Sequence, residues 1–374
     1  MDLDERDPGF TAVLRAAARA DRDVVTMVNG APDWDPPAAL RDGLRDAAAV
    51  QPAEFQYPPV RGLRSLRTAI AERRNVDEAG VIVTGGATEA NHIAMAHAIA
   101  RGSGEEVIMA DPYYPYYPRR TRLLDGRPVA VPVQSNGVLD PEAVAERATQ
   151  NTAAIVVTTP NNPTGAVYKR STLQQLITIA EEVDALLISD ETYAHMDLSG
   201  EFVSALDVPS PNRVVTTSFS KSMAVTGLRV GYLVAPEGLR ESLTDRHELT
   251  TIAASRPAQL AVLEALETTE PSYYEGVRSR LRERRATFTA VLDSLDATYT
   301  TPSMGFYVMA RIPGLPGTTE TVERLIEEVG IAPMPGVAFG EARADWLRFA
   351  LVTPDVDVAA ERLAEGVDAL ETKT

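Results

Sequence analysis

Ala153-Ala154-Ile155-Val156-Val157-Thr158-Thr159-Pro160-Asn161-Asn162-Pro163-Thr164-Gly165 is a strand-sized apolar run that breaks on a cluster of Pro, Asn and Gly. β-Branched residues favour pleated backbone, whereas Pro, Asn and Gly end it in a turn. A helix-like stretch, Ser171–Val183, comes next, and then a second apolar run, Leu186–Ser189. Working outward, the same alternation extends from Val81 to about Ala235. Strands are predicted at Val81–Thr84, Val107–Ala110, Val129–Val133, Ile155–Thr159, Leu186–Ser189, Val214–Thr217 and Tyr232–Val234. Helices are predicted at Glu89–Arg101, Ser171–Val183, Pro257–Leu266 and Tyr273–Leu292. Such alternation is the signature of βαβ units and a largely parallel sheet. The C-terminal part repeats it on a smaller scale, with a strand at Gly305–Ile312, a helix at Glu320–Val329, a strand at Leu347–Val352 and a helix at Val356–Leu370. A chain of 374 residues exceeds what one core usually holds. The expected fold class is α/β: a doubly wound domain with a second, smaller α/β lobe.

In open parallel sheets, ligands bind at the carboxyl ends of the strands. Four predicted strands run there into dense polar or aromatic segments. They are Asp111-Pro112-Tyr113-Tyr114-Pro115, Pro160-Asn161-Asn162-Pro163-Thr164-Gly165, Asp190-Glu191-Thr192-Tyr193 and Ser218-Phe219-Ser220-Lys221-Ser222. One sheet edge would collect all four.

Composition narrows the classes of function. Hydrophobic residues make up 44% and charged residues 24%, the balance of a globular chain. The net charge of −17 argues against nucleic acid, whose phosphates reward Lys and Arg. The longest apolar runs are too short to span a bilayer. The acidic start, Met1-Asp2-Leu3-Asp4-Glu5, lacks the pattern of a secretory signal. With no cysteine, disulfides and thiolate chemistry are excluded. The expectation is a soluble, cytoplasmic protein without nucleic-acid, membrane or metal partners.

Lysine occurs only at 169, 221 and 373. A lysine-poor, acidic chain suits either a salt-rich cytoplasm or a genome that favours Arg codons. Lys169 and Lys373 sit in surface-like or terminal positions, whereas Lys221 follows a buried-looking strand. A primary amine can form a Schiff base with an aldehyde cofactor, which arginine cannot do. Eight residues on, Arg229 lies in Gly227-Leu228-Arg229-Val230-Gly231, where a guanidinium can grip a phosphate and flanking glycines allow close approach. Thr84-Gly85-Gly86-Ala87-Thr88-Glu89 joins a strand to a helix and offers N–H groups at a helix N-terminus. It reads as a phosphate site or as a plain strand-to-helix turn. Neither the Rossmann nor the P-loop glycine pattern is present. Asp190 reads as a partner for a pyridinium nitrogen or as a helix cap. Asn162 and Tyr193 could donate to a ring oxygen. Tyr114 could stack on a ring, with Tyr113, Tyr116 and Tyr117 as competitors. Trp34, Tyr113, Tyr114 and Phe306 suggest either an aromatic-tolerant pocket or core.

Taken together, Asn161-Asn162-Pro163-Thr164-Gly165, Asp190-Glu191-Thr192-Tyr193 and Ser218-Phe219-Ser220-Lys221 with Arg229 resemble the class I/II aminotransferases of the pyridoxal 5′-phosphate (PLP)-dependent fold type I. The resemblance extends over nearly the whole chain. Gly30-Ala31-Pro32-Asp33, Tyr57-Pro58-Pro59-Val60-Arg61-Gly62, Gly305-Phe306-Tyr307, Pro335-Gly336-Val337-Ala338-Phe339-Gly340 and Trp346-Leu347-Arg348 also match the family's landmarks. The resemblance implies covalent attachment of the cofactor to Lys221 and a contact from Asp190 to its ring nitrogen. It implies hydrogen bonds from Asn162 and Tyr193 to the ring oxygen, and stacking by Tyr114. Gly86, Ala87, Thr88, Ser218 and Arg229 would hold the phosphate, joined by Tyr57 from a neighbouring subunit. Gly30, Asn162 and Arg348 would face the substrate carboxylate. A large cofactor domain is expected over residues 40–270. A small domain would comprise residues 1–39 and 271–374. A homodimer is implied. Two departures, Ala31 and Trp34, leave the side-chain pocket open. The implied activity is transfer of an amino group from an L-amino acid to a 2-oxo acid by a ping-pong mechanism. The alternatives are a lyase, racemase, synthase or decarboxylase on the same scaffold, and more distantly a non-catalytic regulatory module.

Overall fold

The computed structural model describes residues 9–102, 104–300 and 303–371, so Lys373 lies outside the described residues. In chain order the main strands are β1 (Val81–Thr84), β2 (Glu106–Asp111), β3 (Arg127–Pro132), β4 (Thr152–Thr158), β5 (Leu186–Asp190), β6 (Arg213–Ser218) and β7 (Gly231–Val234). Among the described residues they form one seven-stranded sheet in the order β1-β7-β6-β5-β4-β2-β3. Only β7 runs against the others. Seven runs predicted from the sequence therefore became strands, most a residue or so longer at an end.

The period-2 alternation of a strand divides its side chains between two faces. Val107, Met109, Val156 and Ile188 face one hydrophobic cluster with Ile93, Ala94 and Met95 of the helix Ala87–Ala100. Ile108, Ala110, Ile155 and Val157 face another, with Leu173, Leu176 and Ile177 of the helix Arg170–Glu182. Helices cover both faces, which is why the central strands read as continuous apolar runs.

A second, antiparallel sheet contains β8 (Thr298–Tyr299), β9 (Tyr307–Arg311), β10 (Met334–Pro335) and β11 (Leu347–Ala350), in the order β10-β11-β9-β8. Its core takes in residues from both ends of the chain. Val13, Val25, Met27 and Val28 pack with Val308, Phe349 and Leu363. Val25–Thr26 pairs in parallel with Ile331–Ala332, and the Ala350 amide donates to Met27 O at 2.8 Å. This pairing carries the segment after Val28, and with it Gly30, to the mouth of the main sheet. The helix expected over 320–329 starts at Thr319, where the Thr318 hydroxyl accepts from Thr321 N, and its last turn, Leu325–Val329, widens into a π-helix.

Candidate active site

The carboxyl ends of β4, β5 and β6 open into a cavity of about 450 Å³. Of the residues singled out from the sequence, Gly30, Ala87, Thr88, Tyr114, Asn162, Asp190, Tyr193, Ser218, Lys221, Arg229 and Arg348 line it. Gly86 adjoins it. Tyr57 does not reach it and stands 77% exposed on the surface.

Lys221 sits in the short helix Phe219–Ser222 after β6, where the Ser218 hydroxyl accepts from Ser220 N at 3.0 Å. Its ammonium donates to Gly30 O and lies 6.0 Å from the Phe306 ring centre. Burial, and then the positive charges of Arg229 and Arg348, push this amine down from 10.5 to about 8, against the pull of Asp190. Desolvation disfavours the charged form, so the neutral, nucleophilic amine is far more populated near physiological pH than in an ordinary lysine.

Asp190 closes β5 and is 6% exposed. Its Oδ2 accepts from Asn91 Nδ2 at 2.6 Å and from the Tyr117 hydroxyl at 2.7 Å. Its Oδ1 accepts from Thr192 N at 3.0 Å. The capping alternative thus survives only as this local turn. A buried carboxylate held from two sides keeps lone pairs directed at the cavity, which suits a cationic ring N–H.

The expected phosphate cradle is the turn after β1. Gly86 is the N-cap of the helix Ala87–Ala100 and has φ +89°. A Cβ there would lie 2.8 Å from Arg229 Nη2. Only glycine allows both that backbone and that approach. The first-turn N–H groups of Ala87 and Thr88 have no partner within the helix. Arg229, itself at φ 55°, donates to Gly85 O at 3.1 Å and to Thr226 O at 2.9 Å, with no carboxylate partner among the described residues. Gly227 stands clear of the protein around it, with no atom within 4 Å of a Cβ built there. Glu89 locks the turn from behind. It accepts from Gly85 N, from the Thr251 hydroxyl at 2.6 Å and from His247 Nδ1 at 2.9 Å. Burial would raise the Glu89 carboxyl, but these hydrogen bonds overcome it and hold the group below its usual value.

On the opposite wall Arg348, in the centre of β11, is fully buried. Its Nη1 donates to Asn162 Oδ1 at 3.2 Å and its Nη2 to Val28 O, while Nε has no partner. The Asn162 loop is held by Asn161, whose side chain accepts from Thr164 N at 3.1 Å and from its hydroxyl at 2.9 Å. Tyr193 meets Tyr307, hydroxyl to hydroxyl, at 3.1 Å.

Several lining residues were not singled out in advance: Asn91, Arg120, Thr158, Ser220 and Tyr307. Tyr117, expected only as a stacking competitor of Tyr114, proves to be a donor to Asp190. The expected aromatic pocket is partly corrected. Trp34 packs edge-on against Phe306 at 6.2 Å in a cluster of buried side chains. Of the four aromatic residues proposed for the pocket, Tyr114 lines the cavity, whereas Trp34, Tyr113 and Phe306 do not. Phe10, Tyr116, Tyr117 and Tyr307 supply the aromatic lining beside Tyr114. Among the described residues no cluster of His, Cys, Asp and Glu could hold a metal, and no helix is long and apolar enough to cross a membrane.

A lysine amine, a glycine turn with free helix N–H groups beside Arg229, and a buried carboxylate therefore share one cavity with an arginine that has no carboxylate partner among the described residues. That set fits an aldehyde cofactor carrying a phosphate and a pyridine ring. The sequence profile described as aminotransferase class I and II matches residues 22–363. The chain is 34% identical over 375 residues to the aspartate/prephenate aminotransferase of Thermus thermophilus, covering 96% of this chain and 95% of that protein. It resembles the structure of the aspartate aminotransferase from Thermus thermophilus with maleate, with a TM-score of 0.87, 33% identity, and 95% and 96% of the two chains covered. It also resembles the structure of the alanine aminotransferase from Pyrococcus furiosus, with a TM-score of 0.88, 26% identity, and 96% and 97% covered.

Proposed function

Since the chain belongs to the class I and II aminotransferases and is a PLP-dependent transaminase, we propose that this cavity is its active site and that Lys221 is the residue on which the reaction turns. The observation that carries this reading is a buried lysine, its amine pushed down to about 8, in one cavity with the Gly86–Arg229 turn and with an arginine that has no carboxylate partner among the described residues. Bound PLP supplies an aldehyde that condenses with amines and a ring that draws electrons from the amine-bearing carbon. The residues supply the rest. Gly86, Ala87, Thr88, Ser218 and Arg229 would hold the cofactor's phosphate. Asp190, backed by Asn91 and Tyr117, would keep its ring nitrogen protonated. Tyr114 would stack on the ring, and Asn162 and Tyr193 would donate to the ring oxygen. Arg348 and Asn162 orient the substrate's α-carboxylate, with Gly30 on the same cavity wall. Lys221 Nζ then takes the proton from the substrate Cα as general base and returns one as general acid.

The same reading treats residues 40–270 as the cofactor-binding unit and residues 1–39 with 271–374 as the smaller one. It makes the enzyme a homodimer, supported by Tyr57 and Phe55 standing exposed at 77% and 61%, with Tyr57 reaching the partner's phosphate. Its cytoplasmic location rests on the sequence reading.

Two experiments test the assignment. Purified holoenzyme should show a visible cofactor band that bleaches with the preferred amino acid and returns on adding 2-oxoglutarate. Aspartate, alanine, phenylalanine and tyrosine are the first donors to compare, since the cavity has both cationic and aromatic lining. A band that no donor bleaches would remove this cavity from the reaction. Separately, the rate at which apoprotein captures added PLP should climb as Lys221 deprotonates. Because the folded value lies below the usual lysine value, the climb should be about tenfold per pH unit below pH 8 and level off above it. Stopped-flow absorbance measures this, and a rate still climbing steeply at pH about 10 would contradict the lowered value.

A further inference from the structure

Tyr307 lies on β9, across the cavity from the main-sheet strands, and touches Tyr193, Gly30 and Arg348. It is 2% exposed, and its hydroxyl is 3.1 Å from that of Tyr193. A Cβ on Gly30 would lie 1.9 Å from the same hydroxyl, so the phenol is pressed against the backbone that accepts from Lys221. Its ring stacks under the Arg348 guanidinium, 4.4 Å from centre to Cζ. A phenol buried this deeply with a single hydrogen-bonding partner is placed for that partner.

We infer that Tyr307 is a positioning residue that donates its proton to Tyr193, so that Tyr193 can turn its own toward the cofactor's ring oxygen. This rests on the reading of Tyr193 given above. Each phenol has one proton. Either can donate while the two face only each other. Once Tyr193 gives its proton to a ring oxygen, its lone pairs must be served by another donor, and Tyr307 is the one in reach. A chain of two such bonds polarises the first, strengthening it. The Tyr307 ring also joins this chain to Arg348, so the group that binds the substrate carboxylate and the group that steers the ring oxygen share one support. The charged and titratable groups acting on the pair are Arg348 and Tyr114, and Lys221 and Asp190 line the same cavity.

The test is the pH midpoint of the visible cofactor band in holoenzyme without substrate. Less donation to the ring oxygen leaves more negative charge there and holds the neighbouring proton more tightly. Tyr307→Phe, which keeps the ring on Arg348, should raise the midpoint by about 0.5–1 pH unit. Tyr193→Phe should raise it at least as much. In a Tyr193→Phe background the second change, Tyr307→Phe, should move it no further. Tyr307→Leu, which also strips the cation–π contact, should raise donor KM more than Tyr307→Phe, by about tenfold. Thermal melting checks that each variant folds. An unshifted midpoint in Tyr307→Phe, or additive shifts in the double variant, would overturn the inference. A Tyr193→Phe enzyme with an unshifted midpoint would instead overturn the Tyr193 assignment beneath it.

Discussion

Lys221→Ala is expected to lose transamination by about four orders of magnitude or more while still binding PLP. General acid–base catalysis by one positioned group is worth about 10²–10⁴, and here the same amine also anchors the cofactor. Lys221→Arg should be no better, because a guanidinium stays protonated and cannot act as the nucleophile or base. The phosphate cradle does not involve Lys221. Gly86, Arg229 and the first turn of the helix Ala87–Ala100 keep their geometry through Glu89 and Gly85. The variant should therefore retain the cofactor in equilibrium dialysis, and borohydride should no longer fix it to the chain. Small primary amines added to the variant should restore part of the rate, since they can enter the space vacated by the side chain. A Lys221→Ala protein that keeps more than a few per cent of activity would place the base elsewhere, and Tyr193 would be the next group to test.

Much of this site was legible before any coordinates, because its parts fall where strands stop. Asp190, Ser218 and Lys221 each close or follow a strand of strongly apolar character, and the parallel sheet gathers such ends along one edge. Residues that reach the cavity from elsewhere left weaker marks. Asn91 lies three residues after Thr88, hence on the same helix face. That spacing acquires meaning only once Thr88 is known to face a ligand. Tyr117 could not be told from Tyr114 by type: both line the cavity, and the helix Tyr116–Leu123, which begins between them, decides that Tyr117 is the one that grips Asp190. Tyr307 and Tyr193 are 114 residues apart, and no local pattern links them, since their contact depends on how the second sheet is set against the first. Trp34 read equally as pocket or core, and only the packing against Phe306 decides for the core cluster.

Arg348→Leu is expected to lower kcat/KM by about 10³ for both amino and oxo acids, with most of the loss in KM. The expectation starts from an electrostatic oddity. Arg348 is among the largest fully buried side chains, yet no carboxylate pairs with it among the described residues, and its Nε has no partner. A charge removed from water without a counterion is costly, and the faces of Tyr307 and Phe339, 4.4 and 4.8 Å away, offset only part of that. A substrate carboxylate completes the pair by a bidentate contact. Removing one partner of a buried pair typically costs about 3–5 kcal/mol, or about 10²–10⁴ in affinity. Before substrate binds, however, the pair does not exist. Replacing an unpaired buried cation by an apolar side chain should then leave the melting temperature unchanged or raise it, because the folded state no longer carries an uncompensated charge. These two signs together separate the roles. A residue that merely held the fold together would lose stability and activity in step. Weak binding in a protein of equal or greater stability, with a carboxylate-free amine bleaching the cofactor band as fast as in the unaltered enzyme, identifies Arg348 as the carboxylate site. A destabilised Arg348→Leu that loses the carboxylate-free reaction as well would assign it to the scaffold instead.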